Sequence, residues 1–402
     1  MKNFGVLYGY ELKKILRRKI VWVATSLMLV ITLISSLAYI FGDYVVDGKR
    51  VDSNYHQFLI DREYERTLSG RPFDQAFLDE IEAGYDKIPE NVASYTTTEE
   101  YQTYARPYSN AFHIVRWMAG MTVSEAMAWE MDYEEMYERH TADLEEGWKE
   151  CLLTEAEKEY WRGQEAALPR PLIYEYDETY VQLLDMLYAV SIPMFLYVGI
   201  CLSGVFAGEN SRRTDQLILS SRYGKQPLYL AKIFAGLSFT TISVLIFSAV
   251  MIGTSIIVYG ADGFSAAVQL TRPAYSGHLS VGMAALIGYA VLVVACVLTA
   301  GIVLLLSQLL RSSVTALALV TACIVCPMFV KIPEQYRAFG QFWDYLPFNF
   351  AAAWNILDVC LVPVFGKLFQ SWQIVPICYL IVTAVFAVTG CIIYSRSQVK
   401  SR

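Results

Sequence analysis

The sequence lacks the short motifs with which many enzymes bind a phosphate, hold a catalytic zinc ion or present a nucleophile. It contains no G-x-x-x-x-G-K-[ST] loop and no H-E-x-x-H pair, so it does not hydrolyse ATP in the P-loop manner. The four histidines, His56, His113, His140 and His278, have no metal-ligand spacing. The nearest approach to a nucleophile elbow, at 277–282, has one residue too many between glycine and serine. We therefore predict no catalytic residue, metal site or bound cofactor in this chain.

Charged residues are absent from six apolar segments, at 20–41, 186–207, 233–261, 280–310, 314–330 and 374–394. About 20 apolar residues suffice to cross the hydrocarbon core of a bilayer, so these segments predict six transmembrane helices. An ion-coupled carrier needs ionisable groups near the bilayer midplane, and their absence disfavours secondary active transport. The mean hydropathy of +0.35 is typical of a polytopic membrane protein with a sizeable soluble part.

Cysteine occurs at eight positions, but these do not cluster as in a disulfide framework. Those within the apolar segments are Cys201, Cys296, Cys323, Cys326, Cys378 and Cys391. We interpret these six as small buried apolar residues, and the single C-x-x-C pair among them disfavours zinc or redox chemistry. Cys151 and Cys360 lie outside the apolar segments, and their redox state stays open.

Charge is distributed unevenly along the chain. Residues 43–185 include 32 acidic and 13 basic residues, whereas the rest of the chain has 7 acidic and 19 basic residues. Basic connectors are retained on the cytoplasmic side of a membrane. We therefore predict that both termini, including the basic tail at 395–402, are cytoplasmic and that the acidic block at 42–185 is an extracellular domain.

The acidic block has helical patterns. Apolar residues recur every four positions at Phe77, Ile81 and Tyr85. Capping boxes begin at Thr122 and Thr154, and the first of them is predicted to open a long helical stretch. One face of that stretch is lined by Met136, His140, Leu144, Trp148 and Leu152. We predict a mainly helical domain.

Two further segments predict structure at the membrane surface. Residues 1–19 have apolar residues at helical spacing and predict an amphipathic helix in the interface, with its basic side toward anionic lipid. The charged residues of this helix are Glu11, Lys13, Lys14, Arg17 and Arg18. A single glutamate among cations slightly favours a protein contact. Residues 331–372 are rich in aromatic residues and interrupted by proline, and they predict short interfacial or re-entrant helices on the outer side.

Residues 208–232 are the one charged connector between two long apolar segments. Leu217, Ile218 and Leu219 give it an apolar ridge that can enter a groove of a soluble subunit. Basic residues flank the ridge and can pair with acidic groups at the rim of such a groove: Arg212, Arg213, Arg222 and Lys225. The alternative is an ordinary cytoplasmic loop that lies at the membrane surface.

The order of these features resembles the ABC type-2 exporter permeases, in particular the subset with a large extracellular domain after the first transmembrane helix. The run E-L-K-K-I-L-R-R-K before the first span looks like the interfacial helix of that family. The connector is similar to the family's coupling segment, and the matching positions are Glu209, Thr214, Leu217, Leu219, Ser220, Ser221, Lys225 and Lys232. Arg213 stands where glycine is usual in the family, and Arg222 stands where proline is common.

The resemblance implies an all-α integral membrane protein of the bacterial plasma membrane that acts as the permease subunit of an ATP-driven exporter. The implied partners are ABC ATPase subunits carrying ATP and Mg, a second permease copy or paralogue, and membrane lipid. The implied substrate is an amphiphile, drug or antimicrobial peptide. The implied coupling residues are Glu209, Arg212, Arg213, Thr214, Leu217, Ile218, Leu219, Ser220, Ser221, Arg222 and Lys225.

Two other functions are weighed against export. In one, the protein is a membrane sensor or resistance module that uses an ABC ATPase without exporting its ligand. In the other, it is a membrane-embedded enzyme, a reading that lacks every motif named above. Measuring the accumulation of substrate in inverted vesicles separates export from sensing.

Overall fold

The computed structural model describes residues 4–46, 49–89, 95–211, 225–310, 312–330 and 332–396. They form a bundle of long apolar helices and a second unit, residues 42–177, which we call the inserted domain. The side of the bundle that carries the inserted domain is called the domain face. The opposite side, where residues 208–232 join two helices, is called the connector face.

The described chain begins with two helices separated by a bend. Helix α1 (Phe4–Leu16) carries the amphipathic pattern, and α2 (Lys19–Leu37) is the first long apolar helix. The backbone is extended at Arg18, which separates the two helices. A 3-10 turn at Ala38–Ile40 follows α2.

The inserted domain is mainly helical and opens with an antiparallel hairpin. Its elements are β1 (Asp43–Val46), β2 (Lys49–Ser53), α3 (Asn54–Leu68), α4 (Gln75–Tyr85), α5 (Ser109–Met118), α6 (Val123–Met127), α7 (Tyr133–Glu150) and α8 (Glu155–Ala166). Single helical turns lie at Tyr95–Thr97, Tyr101–Ala105 and Arg106–Tyr108. Large buried aromatic side chains fill the core, and the rings of Tyr85 and Phe112 stack at 3.9 Å between centroids.

The capping boxes predicted at Thr122 and Thr154 both form. The first opens only the five-residue α6, and α7 begins separately with Asp132 as its N-cap. The residues buried along α7, as predicted, are Met136, His140, Leu144 and Trp148. The prediction was wrong for Leu152, which has a φ of 52° and is 50% exposed, because α7 ends at Glu150.

After the inserted domain the chain returns to the bundle. The elements are α9 (Glu178–Leu202), α10 (Gly204–Ser211), α11 (Gln226–Tyr259), α12 (Val281–Leu310), α13 (Ser313–Phe329), α14 (Arg337–Asp344), α15 (Pro347–Phe350), α16 (Ala353–Ile356), β3 (Val362–Val364), β4 (Lys367–Phe369) and α17 (Ser371–Arg396). Single 3-10 turns lie at Val268–Leu270 and Glu334–Tyr336. Helix α12 is central and packs against α9, α10, α11, α13 and α17.

Five helical segments of the described chain are long and apolar enough to cross a membrane. They are Lys19–Ile40, Glu178–Ser211, Gln226–Tyr259, Val281–Leu310 and Ser371–Arg396. Helix α13 is apolar but has 17 residues, and it packs against α9 and α12. The chain is therefore an all-α multi-pass membrane protein, and the predicted span at 314–330 corresponds to this shorter helix.

The cysteines of the bundle differ in their burial. Cys201 and Cys296 are buried, as predicted, and Cys391 is half-buried. The bundle cysteines that are exposed, contrary to the prediction, are Cys323, Cys326 and Cys378. The reason is that α13 and α17 bury one side of each helix against α12 and leave the other side on the surface of the bundle.

The inserted domain is held to the domain-face ends of the bundle by hydrogen bonds. The Tyr176 hydroxyl donates to the carbonyl of Tyr259, the last residue of α11, at 2.7 Å. The Trp161 indole N–H donates at 2.7 Å to the carbonyl of Val359, between α16 and β3. Both aromatic side chains are buried, so these bonds are shielded from water.

The junction also buries a carboxyl group, that of Asp177 immediately before α9. It is 5% exposed, and its Oδ2 atom has no hydrogen-bond partner among the described residues. Burial, and then the Glu178 carboxylate, raise the pKa of Asp177 to about 8. Between about pH 4 and pH 8 the folded protein therefore binds a proton that the unfolded chain releases, so stability falls as pH rises through this window.

We expect Asp177→Asn to flatten this pH dependence, because the amide stays neutral at every pH. Lowering the pH from 8 to 6 should stabilise the wild type relative to this variant by up to roughly 1.4 kcal/mol per pH unit. Thermal unfolding of the purified protein in detergent at both pH values measures the difference. Glu146→Gln, at an exposed position of α7, is the control and should behave as wild type. Parallel pH profiles for wild type and Asp177→Asn would contradict the assignment.

Candidate functional site

Buried charge is concentrated on the connector face, where α1, α10 and the start of α11 meet. Lys232 is 0% exposed, and its Nζ lies 2.6 Å from Glu209 Oε1 and 3.2 Å from Glu11 Oε2. Lys14 Nζ lies 2.6 Å from Glu11 Oε1 and 3.1 Å from Glu209 Oε1. Two carboxylates and two ammonium groups thus form one cluster, which we call the ion network (Glu11, Lys14, Glu209 and Lys232).

The groups around Lys232 accept hydrogen bonds from all three N–H donors of its ammonium group. A lysine ammonium has three N–H donors. Its three acceptors here are Glu11, Glu209 and the Val205 carbonyl, which is 3.4 Å from Nζ. The Phe206 ring lies 5.3 Å from the same atom and adds a cation–π contact. Burying an unpaired ammonium costs several kcal/mol, so this complete set of partners is what allows Lys232 to be buried.

The network is balanced in charge because Lys14 also stays protonated. Burial lowers the pKa of Lys14, but hydrogen bonds and charge interactions with Glu11 and Glu209 outweigh that effect and raise the pKa above 10.5. Each carboxylate therefore faces two cations, and the cluster has no net charge when both glutamates are ionised.

Helix α1 lies along α11 beyond the ion network. The hydroxyls of Tyr8 and Ser238 are 2.8 Å apart, and the rings of Phe4 and Phe234 meet edge to face at 5.9 Å. Residues spaced three or four apart share one side of a helix, so the side of α1 that contacts α11 also presents Glu11 to Lys232. The amphipathic pattern of the sequence thus positions an acidic residue against the bundle.

A break between α9 and α10 lies next to the network and is stabilised by polar side chains. The Ser307 hydroxyl of α12 donates to the Ser203 carbonyl at 2.6 Å and accepts from the N–H groups of Phe206 at 3.2 Å and Ala207 at 3.1 Å. Arg18 donates to the Gly204 carbonyl at 2.8 Å. Backbone groups freed by the break therefore have partners within the bundle.

Only some of the residues predicted to couple the chain to an ATPase lie within the described residues. Glu209 belongs to the ion network, and Lys225 is exposed at the start of α11. Of the predicted interfacial residues, Lys13 and Arg17 are exposed, while Arg18 contacts α10. The predicted residues that lie outside the described ranges are Arg212, Arg213, Thr214, Leu217, Ile218, Leu219, Ser220, Ser221 and Arg222.

The sequence did not reveal how the charged residues of the connector face pair. The resemblance places Lys232 in the coupling segment, but its partner Glu11 is 221 positions away. The sequence feature that pointed to this pairing was Glu11, a single glutamate among basic residues. Ser307 gave no signal, because a serine within an apolar segment is common whether or not it bonds to a neighbouring helix.

An open cavity of about 1060 Å³ lies beside the ion network, bounded by described residues of α1, α2, α9, α10 and α13. Its wall combines the cationic Arg17 with apolar residues such as Ile20, Val314 and Leu317. Across the described ranges, no group of three or more His, Cys, Asp or Glu residues is arranged to hold a metal ion.

Together, the fold and this cluster define a helical multi-pass membrane protein whose N-terminal helix is bound to both ends of a connector. Residues 6–335 match the family described as ABC-2 family transporter protein. This match covers most of the chain, so the chain belongs to the ABC-2 transporter family. It is a permease subunit of an ABC transporter, not itself catalytic, and its family implies ABC ATPase partners. No curated protein matches the sequence.

We expect Lys232→Met to destabilise the protein by about 3–5 kcal/mol, because Glu11 and Glu209 lose their buried cation. The unfolding temperature of the purified protein measures the effect. Lys13→Met, which removes an exposed cation from α1, is the matched control and should change stability by less than about 0.5 kcal/mol.

The double variant Glu209→Gln/Lys232→Met tests whether the loss arises from unpaired charge. Removing one carboxylate along with the ammonium should recover part of the stability lost in Lys232→Met, since the two residues interact directly. Strictly additive losses would show that the two residues act independently, contrary to the ion network.

Proposed function

We propose that this chain is the permease half of an ABC exporter in a bacterial plasma membrane, with both termini and the connector face in the cytoplasm. It pairs with a second copy or a paralogue, and two ATPase subunits bind ATP and Mg. Export of an amphiphile, drug or antimicrobial peptide occurs between the two permease chains. The excess of basic residues outside 43–185 supports this orientation.

The ion network is the observation that carries the proposal. Glu209 and Lys232 lie near the two ends of the connector, and their charged atoms are 2.6 Å apart. A displacement of the connector therefore acts on α10 and α11 together. On α1, Glu11 binds Lys232 and Lys14 binds Glu209, so α1 and, through the bend at Arg18, α2 follow the same displacement.

Contact with an ATPase fits the chemistry of the connector face. Lys13, Arg17 and Lys225 are exposed there and can attract acidic groups on a soluble subunit. The sequence of the connector adds an apolar ridge at 217–219 and further arginines. ATP-driven closure of two ATPase subunits would press on this segment and move the elements bound by the ion network.

The charge of the inserted domain supports a cationic class of substrate. Residues 42–177 have 30 acidic and 13 basic residues, which raises the local concentration of cationic amphiphiles and peptides at the proposed outer surface. This long-range attraction is independent of any single binding residue. It is screened by salt, so the binding of a cationic substrate to this surface should weaken as ionic strength rises.

We expect an ABC ATPase to co-purify with the wild-type protein from native membranes. Recovery should fall at least tenfold with Arg212→Glu/Arg213→Glu, because the variant repels acidic residues of the partner. Quantitative mass spectrometry at equal membrane abundance measures it. Lys367→Glu, an exposed charge reversal on the domain face, is the control and should retain the ATPase.

Two outcomes would contradict this prediction. Undiminished recovery with the double variant would show that the connector charges do not dock the ATPase. Absence of any ATPase, under conditions that preserve other membrane complexes, would contradict the exporter proposal itself. Substrate accumulation in inverted vesicles then tests the direction of transport.

A cleft in the inserted domain favours ligand sensing as a second candidate function. Described residues of α7 and α8 and the following loop bound a cleft of about 550 Å³. Trp148 and Glu165 line it and are 3% and 7% exposed. Within the described residues, neither Trp148 Nε1 nor Glu165 Oε2 has a hydrogen-bond partner, whereas Glu165 Oε1 accepts from Arg170 at 3.0 Å. A zwitterion can supply an ammonium for the carboxylate oxygen and an acceptor for the indole N–H.

We expect phosphoethanolamine, used as a zwitterionic probe, to bind this cleft. Trp148→Phe and Glu165→Gln should each weaken binding about tenfold, since each removes a buried hydrogen bond involving a charged group. Calorimetric titration of the purified protein measures the affinity. Glu155→Gln, on the exposed side of α8, is the control. Equal affinities in all four proteins, or no binding heat in the wild type, would contradict the zwitterion site.

A further inference from the structure

The two cysteines outside the apolar helices both lie on the domain face. Cys151 is exposed and is the first residue after α7. Cys360 is half-buried in the segment between α16 and β3. One therefore belongs to the inserted domain and the other to the bundle.

A single ion pair brings the two cysteine segments together. Arg337 pairs with Glu157 through Glu157 Oε1. Arg337 also donates to the carbonyl of Leu152, the residue after Cys151, at 2.6 Å. The same Glu157 oxygen accepts from the N–H of Leu361, the residue after Cys360, at 3.1 Å. The chain neighbours of both cysteines are thus bound to the two members of one pair.

The side chain of Cys360 faces this pair. Its thiol is among the groups that raise the pKa of Arg337, after burial, which lowers it, and the Glu157 carboxylate, which raises it. Burial, and then the Asp358 carboxylate, raise the pKa of the Cys360 thiol, while Arg337 lowers it. Cys151 is also among the groups that raise the pKa of the Cys360 thiol, so the two thiols interact electrostatically. The N–H of Trp161 binds the carbonyl of Val359 and fixes the segment from its other side.

We propose that Cys151 and Cys360 form a disulfide that joins the inserted domain to the bundle. The oxidant is a disulfide-bearing compound. The exposed Cys151 thiolate attacks it, forming a mixed disulfide and releasing one thiolate. The Cys360 thiol then loses its proton to solvent and attacks Cys151 Sγ, which forms the Sγ–Sγ bond and expels the second thiolate. The two cysteines lose two electrons and two protons in all, and the oxidant is reduced to two thiols.

The bond would fix the end of α7 to the segment that precedes α17. That contact already has the Arg337–Glu157 pair and the Trp161 hydrogen bond, so the disulfide adds a covalent link to an existing interface. The orientation of the domain face, which we propose points outward, decides where the oxidant comes from in the cell. The formation of the bond itself does not depend on this orientation. An oxidant supplied to purified protein tests the bond independently of transport and topology.

Counting thiols before and after reduction tests the proposal. Full-length protein in detergent is treated with oxidised glutathione, denatured, and labelled with a maleimide of known mass. We expect six labels on the wild type and eight after reduction, because the sequence has eight cysteines. Cys151→Ser should give seven labels before and after reduction. Cys360→Ser retains Cys151 as an unresolved glutathione adduct, so it should give six labels before reduction and seven after it. Cys323→Ser, the control, should retain a gain of two labels.

Protease digestion without reduction should give one linked peptide containing Cys151 and Cys360 from a single chain. Eight labels on the oxidised wild type would overturn the proposal. A stable glutathione adduct at Cys151 would also overturn it, since Cys360 would then have failed to displace the glutathione. So would a linked peptide accompanied by a covalent dimer on a non-reducing gel, because the bond would then join two chains.

Discussion

The buried ammonium group of Lys232 constrains the whole connector face. An unpaired ion at a position that is 0% exposed is too costly to persist, so Glu11 and Glu209 must both stay within hydrogen-bond distance. These two residues lie on α1 and α10, and Lys232 lies on α11. The desolvation cost of one side chain therefore fixes three elements relative to one another, and none of them can move far alone without breaking the network.

The break between α9 and α10 extends this constraint to the centre of the bundle. Ser307 on α12 satisfies backbone groups on both sides of the break, while Glu209 anchors α10 to α11 and α1. Helix α10 is therefore held by two kinds of interaction, ion pairs and hydrogen bonds with a neutral hydroxyl. The ion pairs of Glu209 are strong, but they are stable only while every buried charge has a partner. The Ser307 hydroxyl is neutral, and burying it costs little free energy once it is hydrogen-bonded. Force applied to the connector can therefore reach α12 through the hydrogen bonds of Ser307, while the ion pairs stay intact.

Features that depend on neighbouring residues could be predicted from the sequence. The capping boxes at Thr122 and Thr154 depend on residues three positions apart, and the apolar segments depend on local composition. The end of α7 before Leu152 was missed because the apolar spacing continues after the helix has stopped. The pairing of Lys232 with Glu11 was missed for a different reason, since it depends on how α1 folds back along α11. Exposure of Cys323 likewise follows from tertiary packing, which local apolarity does not encode.

Helix α11 connects the two faces physically. At one end Lys232 belongs to the ion network, and at the other the carbonyl of Tyr259 accepts from Tyr176 of the inserted domain. Its 34 residues span about 51 Å, and its proline lies in the first turn, where a helix tolerates it. A helix held at both ends by buried polar contacts transmits displacement along its axis in either direction. The same geometry therefore serves an exporter, in which the connector moves the inserted domain, and a sensor, in which the inserted domain acts on the connector. What distinguishes them is which end receives the free energy, and in the proposed exporter this is the connector end.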